Sequence, residues 1–248
     1  IQAGETVIDL GCGGGFDVFQ AARKVGTSGL VIGVDSSEEM LALARRNALK
    51  VSTSTGTGDG GEDENGNVRF VYADITSIPL ESGSADCVIS NCVINLLEEG
   101  RKKVCFEECF RLLREGGRLA VSDILAKKAF TKELRRDIGL YVGCVSGANL
   151  VGEYERWLKE VGFEDILIVD KKSDLNIYKE RSSSSENKAV ESENSGSSCC
   201  APTASFCGSE VVGDEKIAAE GAVANSVADI DFNEWVSSYN IYAVKPKK

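Results

Sequence analysis

Nine cysteines and no histidine set the chemistry open to this 248-residue chain. Without imidazole the commonest general base, nucleophile activator and zinc ligand are all gone, so thiols and carboxylates must do whatever work is done. The carboxylates fall in a pattern. Asp9, Asp35 and Asp74 each close a short apolar run of strand type: Val7-Ile8, Leu30-Val31-Ile32-Gly33-Val34 and Phe70-Val71-Tyr72-Ala73. Ligands in open α/β sheets bind at the carboxyl ends of the strands, so three such runs ending in acids point to one crevice. After the first acid, four of five positions are glycine, Gly11-Cys12-Gly13-Gly14-Gly15. Such a loop turns tightly and lets a ligand approach the backbone with no Cβ between.

The loop is a nucleotide-type cradle, but it has neither the Walker lysine nor the spacing G-x-G-x-x-G. What stands there is Asp9-x-Gly11-x-Gly13-x-Gly15, and this resembles motif I of the class I S-adenosylmethionine (SAM) methyltransferases. The resemblance implies S-adenosyl-L-methionine as cofactor, with Asp9, Gly11 and Gly13 along its aminoacyl part and Cys12 and Gly15 beside it in the same loop. Asp35, at the end of the second strand, is placed to accept both ribose hydroxyls, by the physics that serves dinucleotide sites. Ser36-Ser37-Glu38-Glu39 is a helix start, and Met40 follows in a position to lie against an adenine ring. Asp74, with Ile75 beside it, can take the adenine amino group, and Asn91 comes just past the fourth strand beside the glycine loop. The plainer alternative is that each Asp caps the helix after it, although capping does not require the glycine loop as well.

A formal net charge of −11 disfavours nucleic-acid phosphates or an anionic membrane face as partners and leaves a small-molecule substrate. No apolar run approaches the length of a membrane span, and no basic-then-apolar signal segment opens the chain, so the expectation is a cytoplasmic protein. In a reducing compartment, nine cysteines argue for soft-metal chemistry or plain burial rather than disulfides. The chain opens at Ile1, close before the first strand, and reads as a fragment of a longer protein.

Strand and helix alternate from residue 5 to about residue 170, which predicts a doubly wound, mostly parallel α/β sheet. The expected helices include 37–50, 101–114 and 150–161, with one more from about 131. Strands are expected at 85–90, 118–123 and 165–169. Residues 52–66 are polar, acidic and glycine-rich and read as a flexible insertion in a domain spanning 1–170. Residues 171–230 are a low-complexity, cysteine-containing segment rich in Ser, Glu, Asn, Gly and Ala, expected to be mobile over most of its length. Order returns in 231–248, where 239–244 predicts a last, antiparallel edge strand closed by Lys245-Pro246.

The cysteines divide by this frame. Cys105 and Cys109, four apart on one helix in line with Leu112 and Leu113, are expected in the core, as is Cys87 within a strand. Cys92 comes just past the fourth strand, where substrate-facing residues sit in a doubly wound fold. Cys144 lies among small residues where a loop can close over the same cleft. Two thiols facing one pocket suggest a thiophilic substrate, and the adjacent Cys199 and Cys200, with Cys207 soon after, suit capture of a soft ion such as As(III). With no Cys-x-x-Cys pair, structural zinc is a poor fit.

Ser90-Asn91-Cys92-Val93-Ile94-Asn95-Leu96 and Tyr141-Val142-Gly143-Cys144-Val145-Ser146-Gly147-Ala148 resemble the two cysteine motifs of the arsenite methyltransferases. Phe232-Asn233-Glu234-Trp235 through Val244-Lys245-Pro246 is similar to the ending of that family's algal and fungal members. The resemblance implies that Cys92 and Cys144 are catalytic and bind arsenite or its thiol conjugates, that a third cysteine lies upstream of motif I, and that a thiol reductant is needed. Two alternatives stay open. One is a carbon- or oxygen-methyltransferase with Asp123 as base; the other is a non-catalytic thiol-rich binder of soft metal.

Overall fold

The computed structural model describes residues 1–54, 66–131, 143–177 and 230–247. These form a seven-stranded sheet of order β3-β2-β1-β4-β5-β7-β6. Its strands are β1 (Thr6–Leu10), β2 (Leu30–Asp35), β3 (Val68–Tyr72), β4 (Ala85–Asn91), β5 (Leu113–Ala126), β6 (Glu164–Asp170) and β7 (Val236–Val244). The pairs from β3 through β5 are parallel, and β7 runs antiparallel to both of its neighbours, so the sheet is mostly parallel and doubly wound as expected.

Both faces of β1 are buried, which is why Val7, Ile8 and Leu10 form a continuous apolar run rather than an alternation. On one face, α1 (Phe16–Val25) and α2 (Glu38–Ser54) cover Val7, Val31 and Cys87 with Val18, Phe19, Ala22 and Leu41. On the other, α3 (Glu99–Leu112) lays Cys105, Phe106, Cys109 and Leu112 against Ile8, Leu10 and Val88. The three expected core cysteines, Cys87, Cys105 and Cys109, are all buried. A short helix α4 (Gly143–Ser146) precedes α5 (Val151–Val161), whose Tyr154 and Leu158 join the α3 side of the core. The last helical turn, α6 (Phe232–Trp235), seals the carboxyl end of β5: Phe232 and Val236 pack with Ile124, Val145 and Ala148.

Two expectations need correction. The final strand is no edge strand: β7 inserts between β5 and β6, pairing along Arg118 to Ala126 on one side and Glu164 to Asp170 on the other. β6 is the edge instead, and Lys245-Pro246 does close β7 as the sequence suggests. The helix expected to reach Arg114 ends at Leu112, with the strand beginning at once at Leu113. The Gly116-Gly117 pair is absorbed into a register irregularity opposite Ala85 and Cys87, with Gly116 at φ 74°. The expected flexible insertion, the helix from about 131 and most of the 171–230 segment fall largely outside the described residues. No helix among the described residues is long and apolar enough to cross a membrane.

Candidate active site

The glycine loop is shaped by contacts at both ends. Gly11 stands at φ 63°, and a Cβ there would meet Val93 Cγ2 at 2.5 Å, so a side chain is excluded both by conformation and by space. Gly13, at φ 52°, donates its N–H to Asp35 Oδ2 at 2.8 Å, while the other Asp35 oxygen accepts from Ser37 N–H at 2.9 Å. Asp35 therefore braces the loop as well as standing at the carboxyl end of β2, a second role that the sequence reading did not assign. Gly15, at φ 89°, is the residue before α1, and Asn47 of α2 donates to Gly14 O at 3.0 Å. Ser37 caps α2, its Oγ accepting from Met40 N–H, and Ser36 is exposed at the start of this turn. Met40 is exposed too, with its Cε 3.6 Å from where a Gly13 Cβ would be, so the apolar chain flanks the loop. Cys12 turns its sulfur into the core beneath the loop, against Val18 and Gly33, and offers a ligand only its backbone. Burial pushes that thiol up, out of the reactive range.

A buried carboxylate marks the centre. Asp9 is 2% exposed, and its Oδ2 has no hydrogen-bond partner among the described residues. Burial first, then the charges of Asp17 and Asp35, push its carboxyl well above the usual carboxylate range. Asp17, in the first turn of α1, accepts from Asn91 Nδ2 at 3.3 Å. Asp17 escaped the sequence reading because an acid in the first turn of a helix is ordinary. A cleft of about 220 Å³ opens here, lined by Asp9, Asp17, Asn91, Ser122, Asn240 and Tyr242. An orphaned buried acid oxygen with two further carboxylates nearby fits a cationic ligand, and S-adenosyl-L-methionine carries both an ammonium and a sulfonium.

Asp74 is held by its neighbours. Arg101 Nη2 lies 2.6 Å from its Oδ2, and Thr76 donates both N–H and Oγ–H to Oδ1. Arg101 above all, then Thr76, hold the carboxyl down at about 2, so it stays an acceptor at any working pH. Ile75 is buried in the core and fixes the acid's position by packing.

The thiol side of the crevice is built differently. Cys92 follows β4 at φ 58°, a left-handed conformation for a residue with a side chain, which costs about 1–3 kcal/mol and is tolerated where surroundings over-determine it. Its N–H is fixed to Ser122 O at 2.8 Å, and its sulfur lies 3.5 Å from Asn91 Oδ1. The next residue, Val93, is the one that presses on Gly11, which sets Cys92 one residue from the cradle. A single 3-10 turn, Ile94–Leu96, follows. Against it packs the segment that bears Cys144: Gly147 sits on the Asn95 backbone, where a Cβ would run into Asn95 O. The backbone of Cys144 belongs to α4, while its side chain, like Cys199, Cys200 and Cys207 altogether, lies outside the described residues. Among the described residues no three His, Cys, Asp or Glu side chains converge on a possible metal position. Asp123 is 1% exposed and accepts from Asn95 N–H at 3.2 Å and Ile124 N–H at 2.9 Å. Both of its oxygens thus brace backbone, one in the turn after Cys92 and one in β5.

The model of a methyltransferase domain matches residues 1–162. An arsenite methyltransferase of Halobacterium salinarum is 41% identical over 168 residues, covering 68% of this chain and 39% of that protein. Another, of Aquipseudomonas alcaligenes, is 38% identical over 66% of this chain and 45% of its own. The chain thus spans less than half the length of these curated relatives. Among solved structures, an arsenic(III) S-adenosylmethionine methyltransferase of Chlamydomonas reinhardtii superposes with TM-score 0.60 at 24% identity, covering 99% of this chain and 64% of that one. At that identity the likeness establishes the fold alone. Residues 1–162 place the chain in the methyltransferase-domain family, as a class I fold whose cofactor is S-adenosyl-L-methionine.

Proposed function

We propose that this chain carries the catalytic core of an arsenite methyltransferase, which moves methyl groups to trivalent arsenic bound by Cys92 and Cys144 and so detoxifies arsenic in the cytoplasm. The observation that supports this best is the Cys92 turn. A thiol-bearing residue is held in left-handed backbone one residue before the side chain that presses on the glycine loop, and the segment bearing Cys144 packs on the turn that follows. The names of the two curated relatives support the choice of substrate.

The division of work follows from the residues. Asp9, the glycine loop, Asp35 and Asp74 hold the cofactor, which when bound supplies a methyl group on a sulfonium, an electrophile that a lone pair takes without help from a base. Cys92 and Cys144, as thiolates, hold arsenic with its lone pair toward that methyl. No proton leaves the nucleophile, which suits a chain without histidine. The protein's contribution is alignment in a closed cleft, worth a large part of such a barrier. Arsenic that has given its pair to carbon is formally pentavalent, and an external thiol pair returns it to the trivalent state while becoming a disulfide. Cys199 and Cys200 serve as an outer capture pair, raising the local arsenite concentration for exchange onto the inner thiols.

The test is product analysis with the complete protein, S-adenosyl-L-methionine, arsenite and a thiol. Methylated arsenic should form with wild type and vanish with Cys92→Ser or Cys144→Ser. The Cys199→Ser/Cys200→Ser double variant should lose rate only at low arsenite. Tight arsenite binding with no methylated product from wild type would make the protein a thiol-rich binder instead.

A further inference from the structure

Lys102 is 1% exposed, although it stands in the run Arg101-Lys102-Lys103 on a helix that turns its neighbours to solvent. An ammonium has three donors and no acceptor, and a buried one is tolerated only where all three are used. Lys102 meets that requirement by spanning two separate loops. It donates to Asn95 Oδ1 at 3.3 Å, to Asn149 Oδ1 at 2.7 Å and to the carbonyl of Gly147. Asn95 is three residues past Cys92; Gly147 and Asn149 are three and five residues past Cys144. Each end is anchored further. Tyr154 Oη donates to Asn95 Oδ1 at 3.0 Å, and Asn95 Nδ2 donates to Ile124 O at 2.5 Å. Asn149 Nδ2 donates to Glu153, which also accepts Leu150 N–H at the start of α5.

We infer that Lys102 is a positioning residue: its buried ammonium clamps the Cys92 turn to the Cys144 segment and so sets the separation at which the two thiols can share one arsenic atom. This deepens the arsenite reading and rests on it. The clamp has an independent partner in the close packing of Gly147 on the Asn95 backbone, which removes any slack that a side chain would introduce. The acceptors described for Lys102 are amide oxygens of Asn95, Gly147 and Asn149. Its effect passes through backbone placement, and it should therefore separate pairing of the thiols from their individual reactivity. It should also leave the glycine cradle alone, since none of the three acceptors described for it belongs to the loop, to Asp35 or to Asp74.

The experiment uses the full chain with Cys199, Cys200 and Cys207 changed to Ser and phenylarsine oxide as probe, because its arsenic takes two thiolates. Lys102→Met, similar in length, should weaken phenylarsine oxide binding at least tenfold. Cys92 and Cys144 should still alkylate singly with iodoacetamide at close to the parent rate, and S-adenosyl-L-methionine affinity should stay within twofold. Adding Cys144→Ser to Lys102→Met should cost nothing further. Should Lys102→Met fold poorly, Gly147→Ala provides the second route, since it pushes the segment that carries two of the Lys102 acceptors off Asn95 while leaving the lysine itself in place; the same loss of thiol pairing is expected. Unchanged phenylarsine oxide binding in both variants would overturn the clamp, as would a parallel fall in cofactor affinity, which would mark general loosening. If instead Cys92→Ser and Cys144→Ser in the parent leave the probe's affinity untouched, it is the arsenite reading that falls, and with it the basis for the clamp.

Discussion

The two halves of the crevice are built by opposite means. The cofactor half is local: Asp9 to Gly15 is one unbroken stretch, and its main brace, Asp35, reaches it by a single hydrogen bond from the neighbouring strand. The thiol half joins residues about fifty positions apart, and a buried cation and side-chain amides hold them together. Backbone geometry written into glycines needs few partners, so the first half tolerates change around it. A polar network in the interior is valuable when complete and costly when broken, so the second half is where a distant substitution can abolish function while leaving the cofactor bound.

The largest effect expected from this contrast is at Cys92. Cys92→Ser should reduce arsenite methylation by about 10²-fold or more, since arsenic held by one thiolate loses its alignment. Cofactor affinity measured by calorimetry should not change. A joint loss of both would mean that the two halves are one unit and that the contrast is wrong. Next comes Asp35→Ala, which removes an acceptor that also holds the loop through Gly13 N–H. Hydrogen bonds to a charged group are worth about 1.5–3 kcal/mol each, so cofactor affinity should fall roughly tenfold to a hundredfold while arsenite binding to the cofactor-free protein persists.

The cofactor half was largely legible in the sequence because its signals are contiguous: an apolar run, an acid, alternating glycines, and a second acid at the next strand end. Of the proposed thiol half, only the two cysteines stand out in the sequence. Lys102 between Arg101 and Lys103 reads as part of a solvated face, and only the approach of Asn149, forty-seven residues on, makes it an interior residue. The expectation of a last strand at the edge failed for the same reason. An apolar run after Trp235 announces a strand, but whether β7 lies at the edge or between β5 and β6 depends on pairing with segments more than sixty residues away. Asp74 was rightly seen as an acid at a strand end, while its engagement by Arg101 could not be read from spacing.

A smaller effect should distinguish the charge of the cofactor half from its shape. The Asp9 carboxyl is raised by burial and by Asp17 and Asp35, so at low pH it is neutral and has little to offer a cation. Affinity for S-adenosyl-L-methionine should therefore rise with pH as Asp9 ionises and flatten above its raised pKa. Asp9→Asn should remove that rise, leaving affinity about fivefold to tenfold below the wild-type plateau, the equivalent of up to one pKa unit of coupling. A pH dependence that survives in Asp9→Asn would assign the cation's partner to Asp17 instead, and the cradle's shape would then outweigh its buried charge.

The smallest effect on function is expected at the far end of the sheet, which makes it the control for everything above. Glu5, just before β1, receives Arg118 of β5 in a two-pronged pair, Nη1 to Oε1 at 2.7 Å and Nη2 to Oε2 at 2.6 Å. The Arg118 hydrogen bonds are the main reason that the Glu5 carboxyl lies at about 2 instead of its ordinary 4.5. Because the folded value is the lower one, the pair's stabilisation is complete above pH 4.5 and is lost as the pH falls from there toward 2. Arg118 is about one-third exposed, so solvent screening trims its worth, and Arg118→Met should cost about 1–2 kcal/mol at neutral pH. In acid denaturation the variant should show a shallower loss of stability between pH 4.5 and 2, with the gap to wild type closing at the acid end. Neither cofactor affinity nor phenylarsine oxide binding should move, because Glu5 and Arg118 touch neither the glycine loop nor the Lys102 network. If either binding constant shifts with Arg118→Met, global stability is feeding into the crevice, and losses at Asp35 or Lys102 would have to be measured against that baseline before either half is credited with them.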